Sequence, residues 1–134
     1  MPCELTLAEK NKNEKFIASA YNDLGLVLQF EGKDRQALDY HFKALAIRNT
    51  LGDKKDIGSS WSKIGNCYTE LTEYAPALDA QLKALTCFEE TDNKPYQART
   101  LNNICVLYEK LGNYDKLEEY AQRSLKIQTE FGPP

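Results

Sequence analysis

The chain has 134 residues, 42% of them hydrophobic and 28% charged, with a formal net charge of −3. This composition is typical of a folded domain rather than a disordered chain, and no apolar run approaches the ~20 residues of a membrane-spanning helix. The 20 acidic and 17 basic residues include no basic stripe, which argues against a nucleic-acid or anionic-membrane surface.

The amino terminus and the cysteines bear on the cellular compartment. The first five residues lack the basic and apolar segments of a secretory signal, so we expect a cytoplasmic protein. No two cysteines form a CxxC pair and His41 is the only histidine, so the sequence predicts neither a zinc site nor a cofactor. We expect free, buried thiols at Cys3, Cys67, Cys87 and Cys105.

The sequence repeats three times in register with a period of 40 residues. A period of this length indicates an array of similar supersecondary units. The corresponding residues include Tyr21, Trp61 and Leu101; Leu24, Ile64 and Ile104; Gly25, Gly65 and Cys105; Leu28, Tyr68 and Tyr108; Ala37, Ala77 and Leu117; and Leu45, Leu85 and Leu125.

Each copy is predicted to contain two helices. In the second copy Trp61, Ile64 and Tyr68 share one helical face, and Ala77 and Ala84 define another after a short break at 71–73. In the first and third copies the break is marked by glycines, which suit a helix end that needs a left-handed residue. These glycines are Gly32 and Gly112.

The joints between copies carry stop and start signals. Gly52 predicts the end of one helix and Asp53 the N-cap of the next. Asn93 and Asn13 occupy the equivalent place before the third and first copies. Within a repeat, two helical glycines predict a close approach of the paired helices. We expect alanines of the second helices to face them, in the pairs Gly25 with Ala37 and Gly65 with Ala77.

The first thirteen residues allow two interpretations. Leu5 and Leu7 match Leu45 and Ile47, so residues 1–13 resemble the end of a preceding repeat's second helix. Alternatively, Thr6 and Glu9 form a capping box that begins one longer first helix. At the other end the third copy finishes at residues 131–132 without a polar capping helix. This arrangement predicts either a fragment of a longer array or self-association through an open flank.

These spacings resemble the tetratricopeptide repeat, whose signature reads here Trp61, Ile64-Gly65, Tyr68, Ala77 and Ala84. The resemblance covers residues 14–131, as repeats of about 14–52, 53–92 and 93–131. It implies a single all-α domain, a right-handed α-α superhelix of three helix-turn-helix repeats. The 40-residue length and the joint at 51–54 resemble a longer subclass that occurs in Pins-type adaptors and bacterial signalling arrays.

In the tetratricopeptide family the first helices of the repeats line a concave groove that binds a peptide or helix of a partner. Asparagines there can clamp a peptide backbone, while Arg99, Lys63 and Lys110 can select an acidic residue. The family's clamp for acidic chaperone tails is not expected, because only Arg99 keeps the charge of its matching place. The predicted groove residues are Asn22, Leu26, Gln29, Phe30, Ser62, Lys63, Asn66, Arg99, Asn102, Asn103, Val106 and Lys110.

The sequence favours a binding module over an enzyme. It contains no phosphate-binding glycine loop, and His41 has no serine or cysteine at a diagnostic spacing. We therefore predict a non-catalytic adaptor or scaffold with a protein or peptide partner, acting in signalling. Two alternatives stay open: a scaffold that self-associates through its solenoid ends, and a regulatory input domain of a larger signalling protein.

Overall fold

The computed structural model describes residues 6–131, without the side chains of Ala8 and Phe131. The sequence-based expectations for Cys3, Leu5 and Gly132 lie outside the described residues. Within this range the chain is all-α, as predicted, and no residue lies in a strand. Its six helices are α1 (Leu7–Phe30), α2 (Asp34–Leu51), α3 (Lys54–Glu70), α4 (Tyr74–Glu90), α5 (Lys94–Leu111) and α6 (Tyr114–Phe131).

The helices pack in sequence order as three pairs. α1 packs on α2, α3 on α4 and α5 on α6, while α2 contacts α3 and α4 contacts α5. Equivalent helices begin 40 residues apart, at Asp34, Tyr74 and Tyr114 for the second helices and at Lys54 and Lys94 for α3 and α5. Stacking of similar pairs produces the α-α superhelix that the sequence predicts.

The joints between repeats form as the local residues dictate. Gly52 ends α2 in the left-handed region at φ 81°, where a residue without a β carbon is unstrained. The side chain of Asp53 then caps α3 by accepting hydrogen bonds from the backbone N–H groups of Lys55 and Asp56, at 3.0 and 3.3 Å. Asn93 caps α5 by accepting from the N–H of Tyr96 at 3.4 Å.

The first helix differs from its two equivalents because it has no joint at Asn13. α1 runs without interruption from Leu7 to Phe30, so Asn13 lies inside a helix and the predicted cap there is wrong. Of the two interpretations of this region, the longer first helix is the one observed. The hydroxyl of Thr6 accepts a hydrogen bond from the N–H of Glu9 at 3.1 Å and so begins the helix.

The core follows the repeat, but the helical glycines face other residues than those predicted. The atoms nearest to a β carbon built on Gly25 belong to His41, and those nearest to one on Gly65 belong to Gln81. Ala37 and Ala77 are buried without being these nearest neighbours. The close approach of the paired helices is therefore real, and it accommodates a large polar side chain rather than a methyl group.

Candidate functional site

A pocket of about 180 Å³ lies between α3 and α5. Five predicted groove residues line it, namely Ser62, Lys63, Asn66, Arg99 and Asn103. The rest of its wall comprises Ser59, Phe88, Tyr96 and Thr100. The fold thus brings the middle of the predicted groove together at one place, where two first helices adjoin.

The two positive side chains of this pocket, Lys63 and Arg99, form no ion pair within residues 6–131. Burial lowers the pKa of Lys63 below its usual range; the charge of Arg48 adds to this, Asp23 opposes it, and Arg99 adds again. The ammonium donates one hydrogen bond, to the hydroxyl of Ser59 at 3.3 Å.

An aromatic pair that sequence reasoning missed forms one side of the pocket. The rings of Phe88 and Tyr96 stack with centroids 5.1 Å apart and an interplanar angle of 19°. The guanidinium carbon of Arg99 lies 5.3 Å from the Tyr96 centroid, within the range of a cation–π contact. A signal was present, since Tyr96 precedes Arg99 by three residues and so shares its helical face.

The pocket presents mainly hydrogen-bond donors. The side-chain oxygen of Asn66 already accepts a hydrogen bond from the amide of Gln81 at 3.1 Å. Next to the pocket, the oxygen of Asn102 accepts one from the hydroxyl of Ser124 at 2.9 Å. With the Asn66 oxygen engaged by a second helix, a ligand meets the ammonium of Lys63 and the guanidinium of Arg99 as donors, beside the amide of Asn103 and the hydroxyl of Ser62, which can donate or accept.

The predicted groove residues of the first repeat lie apart from this pocket. Asn22 is buried, and its side-chain oxygen has no hydrogen-bond partner. The side-chain oxygen of Gln29 lies 2.8 Å from Nε2 of His41, so Gln29 links α1 to α2 and is not part of the pocket wall. Leu26 is half-buried, and Phe30 is almost fully exposed at the end of α1. On α5, Asn102, Val106 and Lys110 are exposed outside the pocket wall.

At the three positions that the structure describes the cysteines are free thiols, as predicted; Cys67 and Cys87 are buried, whereas Cys105 is only half-buried. Burial, with the nearby charges of Asp34 and Glu70, raises the pKa of Cys67 to about 12, so its thiol stays protonated at neutral pH. Among residues 6–131 no group of three or more His, Cys, Asp or Glu could hold a metal ion. The helices in this range are also too short or too polar to span a bilayer.

Comparison with known proteins agrees with the fold. Models described as tetratricopeptide repeat match residues 16–90 and 98–131. Protein FLUORESCENT IN BLUE LIGHT, chloroplastic, from Arabidopsis thaliana is 36% identical over 73 residues, which are 54% of this chain and 23% of that protein. This chain therefore spans only about a quarter of that relative.

Solved structures show the same architecture. The apo form of RapI superposes with a TM-score of 0.85 at 23% identity, over 92% of this chain and 34% of that one. A Rap protein complexed with competence and sporulation factor gives 0.70 at 24% identity, over 91% and 32%. The tetratricopeptide fold is that of a protein-interaction module. From the matched models and the stacked helix pairs, we conclude that the chain belongs to the tetratricopeptide repeat family.

Proposed function

We propose that the chain is a non-catalytic adaptor whose groove, formed by α1, α3 and α5, binds a peptide or helix of a partner protein. The observation that supports this most is the pocket between α3 and α5, where Lys63 and Arg99 lack a carboxylate partner among the described residues. The Rap protein complexed with competence and sporulation factor provides a precedent for partner binding by this fold.

The chemistry of the pocket favours an acidic side chain of the partner. Burial, and after it the repulsion of Arg48 and Arg99, lowers the pKa of Lys63, and a carboxylate placed between Lys63 and Arg99 would stabilise both positive charges. The planar guanidinium of Arg99 suits bidentate binding of a carboxylate, and its contact with Tyr96 holds it in place. The hydroxyl of Ser62 supplies a further donor to the carboxylate, and the amide of Asn103 is placed to bind the partner's backbone.

The size of the pocket indicates how the partner binds. About 180 Å³ is smaller than the roughly 300–1,000 Å³ of small-molecule sites and suits one side chain. The partner's remaining residues would then lie along the groove, where Val106 offers an exposed apolar contact next to the polar wall. We therefore expect an extended or helical segment anchored by a single acidic residue.

Fluorescence polarisation with matched peptides tests this function. The peptides differ at one central position, which is Glu, Gln or Lys, and we expect the Glu series to bind tightest and to weaken as salt rises. Lys63→Glu and Arg99→Glu should each weaken binding at least about tenfold. The same charge change at Lys126, an exposed α6 lysine whose side chain forms no ion pair among the described residues, is the matched control, and Lys126→Glu should leave affinity unchanged.

A second variant tests the amide contribution. The double change Asn66→Ala with Asn103→Ala should weaken all peptides alike, because amides bind the backbone whatever the side chains. Equal affinity for the Glu and Lys series, or full affinity after Lys63→Glu and Arg99→Glu, would show that this groove does not bind an acidic segment.

The cellular setting remains a prediction. We infer a cytoplasmic signalling role from the sequence, whereas the Arabidopsis relative is chloroplastic by name. A fluorescent fusion of the full-length protein in its own cells distinguishes the two compartments. The role as a regulatory input domain also stays a prediction, and a catalytic segment in the full-length protein would support it.

A further inference from the structure

One face of α1 is apolar and uncovered. Ile17, Leu24 and Val27 are 47%, 48% and 52% exposed. Their equivalents in the next repeat, Ile57, Ile64 and Cys67, are 9%, 0% and 0% exposed because α2 packs on α3. The corresponding face of α5 is covered by α4 in the same way. A surface that two repeats bury against a helix is therefore open in the first.

The continuous helix at Asn13 bears on what can cover this face. In front of α3 and α5 a short joint reverses the chain, so that the preceding helix lies alongside. α1 has no such reversal; it continues seven residues beyond the equivalent point, roughly 10 Å along its axis, to Leu7. A helix attached through the same short joint is therefore not what covers this face.

The residues along the face complement one another when the helix is paired with an antiparallel copy of itself. Lys10, Ile17, Leu24 and Glu31 follow one another at intervals of seven, the spacing of residues on one side of a helix that packs against another helix. If two copies of α1 cross antiparallel near Ala20, Ile17 of one copy lies opposite Leu24 of the other. Lys10 then lies opposite Glu31, whose carboxylate also lies 3.2 Å from the ammonium of Lys33, and opposite charges meet at both ends of the contact.

The other end of the solenoid offers a poorer surface. On the outer face of α6, Leu125 is 63% exposed where Leu45 and Leu85 are buried. Its neighbours on this face are polar, with Glu118 and Gln122 at the places of Leu38 and Phe42 in the first repeat. Stacking of α6 on α1 of the next copy would match one leucine to three apolar residues. The contact of α1 with itself places Ile17 against Leu24 twice, between two pairs of Lys10 and Glu31.

We propose that the chain forms a two-fold symmetric homodimer through the α1 face, defined as Lys10, Ile17, Ala20, Leu24, Val27 and Glu31. Such an interface is isologous, so each substitution acts twice in one dimer. It lies on the flank of the solenoid and uses none of the residues that line the pocket between α3 and α5. Dimerisation therefore leaves that pocket accessible in each copy.

Sedimentation velocity over a range of concentrations tests the dimer. The wild-type chain should sediment as a dimer that dissociates on dilution. Leu24→Lys should raise the dimer dissociation constant at least about a hundredfold, because it brings two like charges into an apolar contact. Leu24 is half exposed, so circular dichroism should show unchanged helix content. The matched control, Leu125→Lys on α6, should leave the dimer intact.

The charge pair tests the antiparallel arrangement. Lys10→Glu and Glu31→Lys should each weaken the dimer several-fold, and the double variant should restore it, because each contact again joins opposite charges. A wild-type chain that stays monomeric at all concentrations overturns the proposal. Dissociation by Leu125→Lys but not by Leu24→Lys overturns it in favour of head-to-tail stacking. A double variant weaker than both single ones overturns the antiparallel pairing.

Discussion

The imidazole ring of His41 lies directly over Gly25, at the crossing of α1 and α2. A β carbon on Gly25 would stand 2.5 Å from Cε1 of this ring. The ring cannot easily move aside, because it is fully buried and its Nε2 lies 2.8 Å from the side-chain oxygen of Gln29. The second repeat pairs Gly65 with Gln81 in the same way.

Gly25→Ala should therefore destabilise the chain by about 2 kcal/mol, since overpacking of a tight core outweighs the better helix propensity of alanine. Combined with His41→Ala, the same change should cost about 1 kcal/mol less than it does alone. The third repeat has the same combination of a larger residue at the glycine position and an alanine opposite it, since Cys105 is equivalent to Gly25 and Ala121 to His41. Urea unfolding of the two single variants and the double variant measures the coupling, and strictly additive free energies would contradict the contact.

The buried His41 should also make stability depend on pH. Burial, together with the charges of Lys63 and Arg48, lowers its pKa from 6.5 to about 4. Below pH 6.5 the His41 side chain binds a proton in the unfolded chain but stays neutral in the folded chain down to about pH 4. The stabilisation is therefore complete above pH 6.5 and is lost as pH falls towards 4, by about 1.4 kcal/mol per pH unit.

His41→Gln isolates this effect, because glutamine occupies the equivalent place in the second repeat. The free energy of unfolding, measured by urea titration at several pH values, should fall more steeply in the wild type than in the variant between pH 6.5 and 4. The carboxylates contribute equally to both chains, so the difference reports His41 alone. Parallel curves would show that the imidazole is accessible to protons in the folded state.

Two loop residues, Thr72 and Asp92, hold a left-handed backbone conformation that glycine adopts elsewhere in the chain. Thr72 has φ 60° and lies at the place of Gly32 and Gly112, whose φ angles are 78° and 73°. For a β-branched residue the left-handed region is strained, at roughly 1–2 kcal/mol. Thr72→Gly should raise stability by about 1 kcal/mol, less than the full strain because glycine gains freedom in the unfolded chain.

Thermal unfolding followed by circular dichroism measures this gain. The reverse change at the matching turn, Gly32→Thr, should lower the melting temperature, since it introduces the same strain into the first repeat. Nothing lies within 4 Å of a β carbon built on Gly32, so crowding does not contribute. A lower melting temperature for Thr72→Gly would show that the threonine stabilises the turn, through its hydroxyl contact with the Leu71 carbonyl at 2.6 Å.

How far the sequence predicts this structure depends on whether a feature is local. The caps at Asp53 and Asn93 and the pair order follow from neighbouring residues and from the period, so they were predictable. The start of the first helix was not: the sequence offers caps at both Thr6 and Asn13, and the helix begins at Thr6, seven positions earlier, so that Asn13 lies inside it. The sequence placed Arg99 in the groove, with Tyr96 three residues earlier on the same helical face, but it could not show that Tyr96 stacks on Phe88, which depends on the packing of α4 against α5.

The charge of Arg48 acts both on His41 in the core of the first repeat and on Lys63 in the pocket. The Arg48 guanidinium is buried and donates to the hydroxyl of Ser60 at 2.9 Å, without an ion pair among residues 6–131. Its positive charge lowers the pKa of both His41 and Lys63. Arg48→Met keeps most of the buried volume and removes this charge, so the pKa of His41 should rise above about 4 and that of Lys63 should move towards its usual value.

Nuclear magnetic resonance titration of the His41 ring measures the first of these shifts. Lys15→Met is the matched control, because it removes a positive charge whose ammonium lies 3.9 Å from Asp56 at the exposed surface and does not act on His41. A His41 pKa that rises in Arg48→Met but not in Lys15→Met supports a field carried through the low-dielectric core. If both variants titrate like the wild type, the charge of Arg48 does not act on His41, and burial together with the charge of Lys63 sets this pKa.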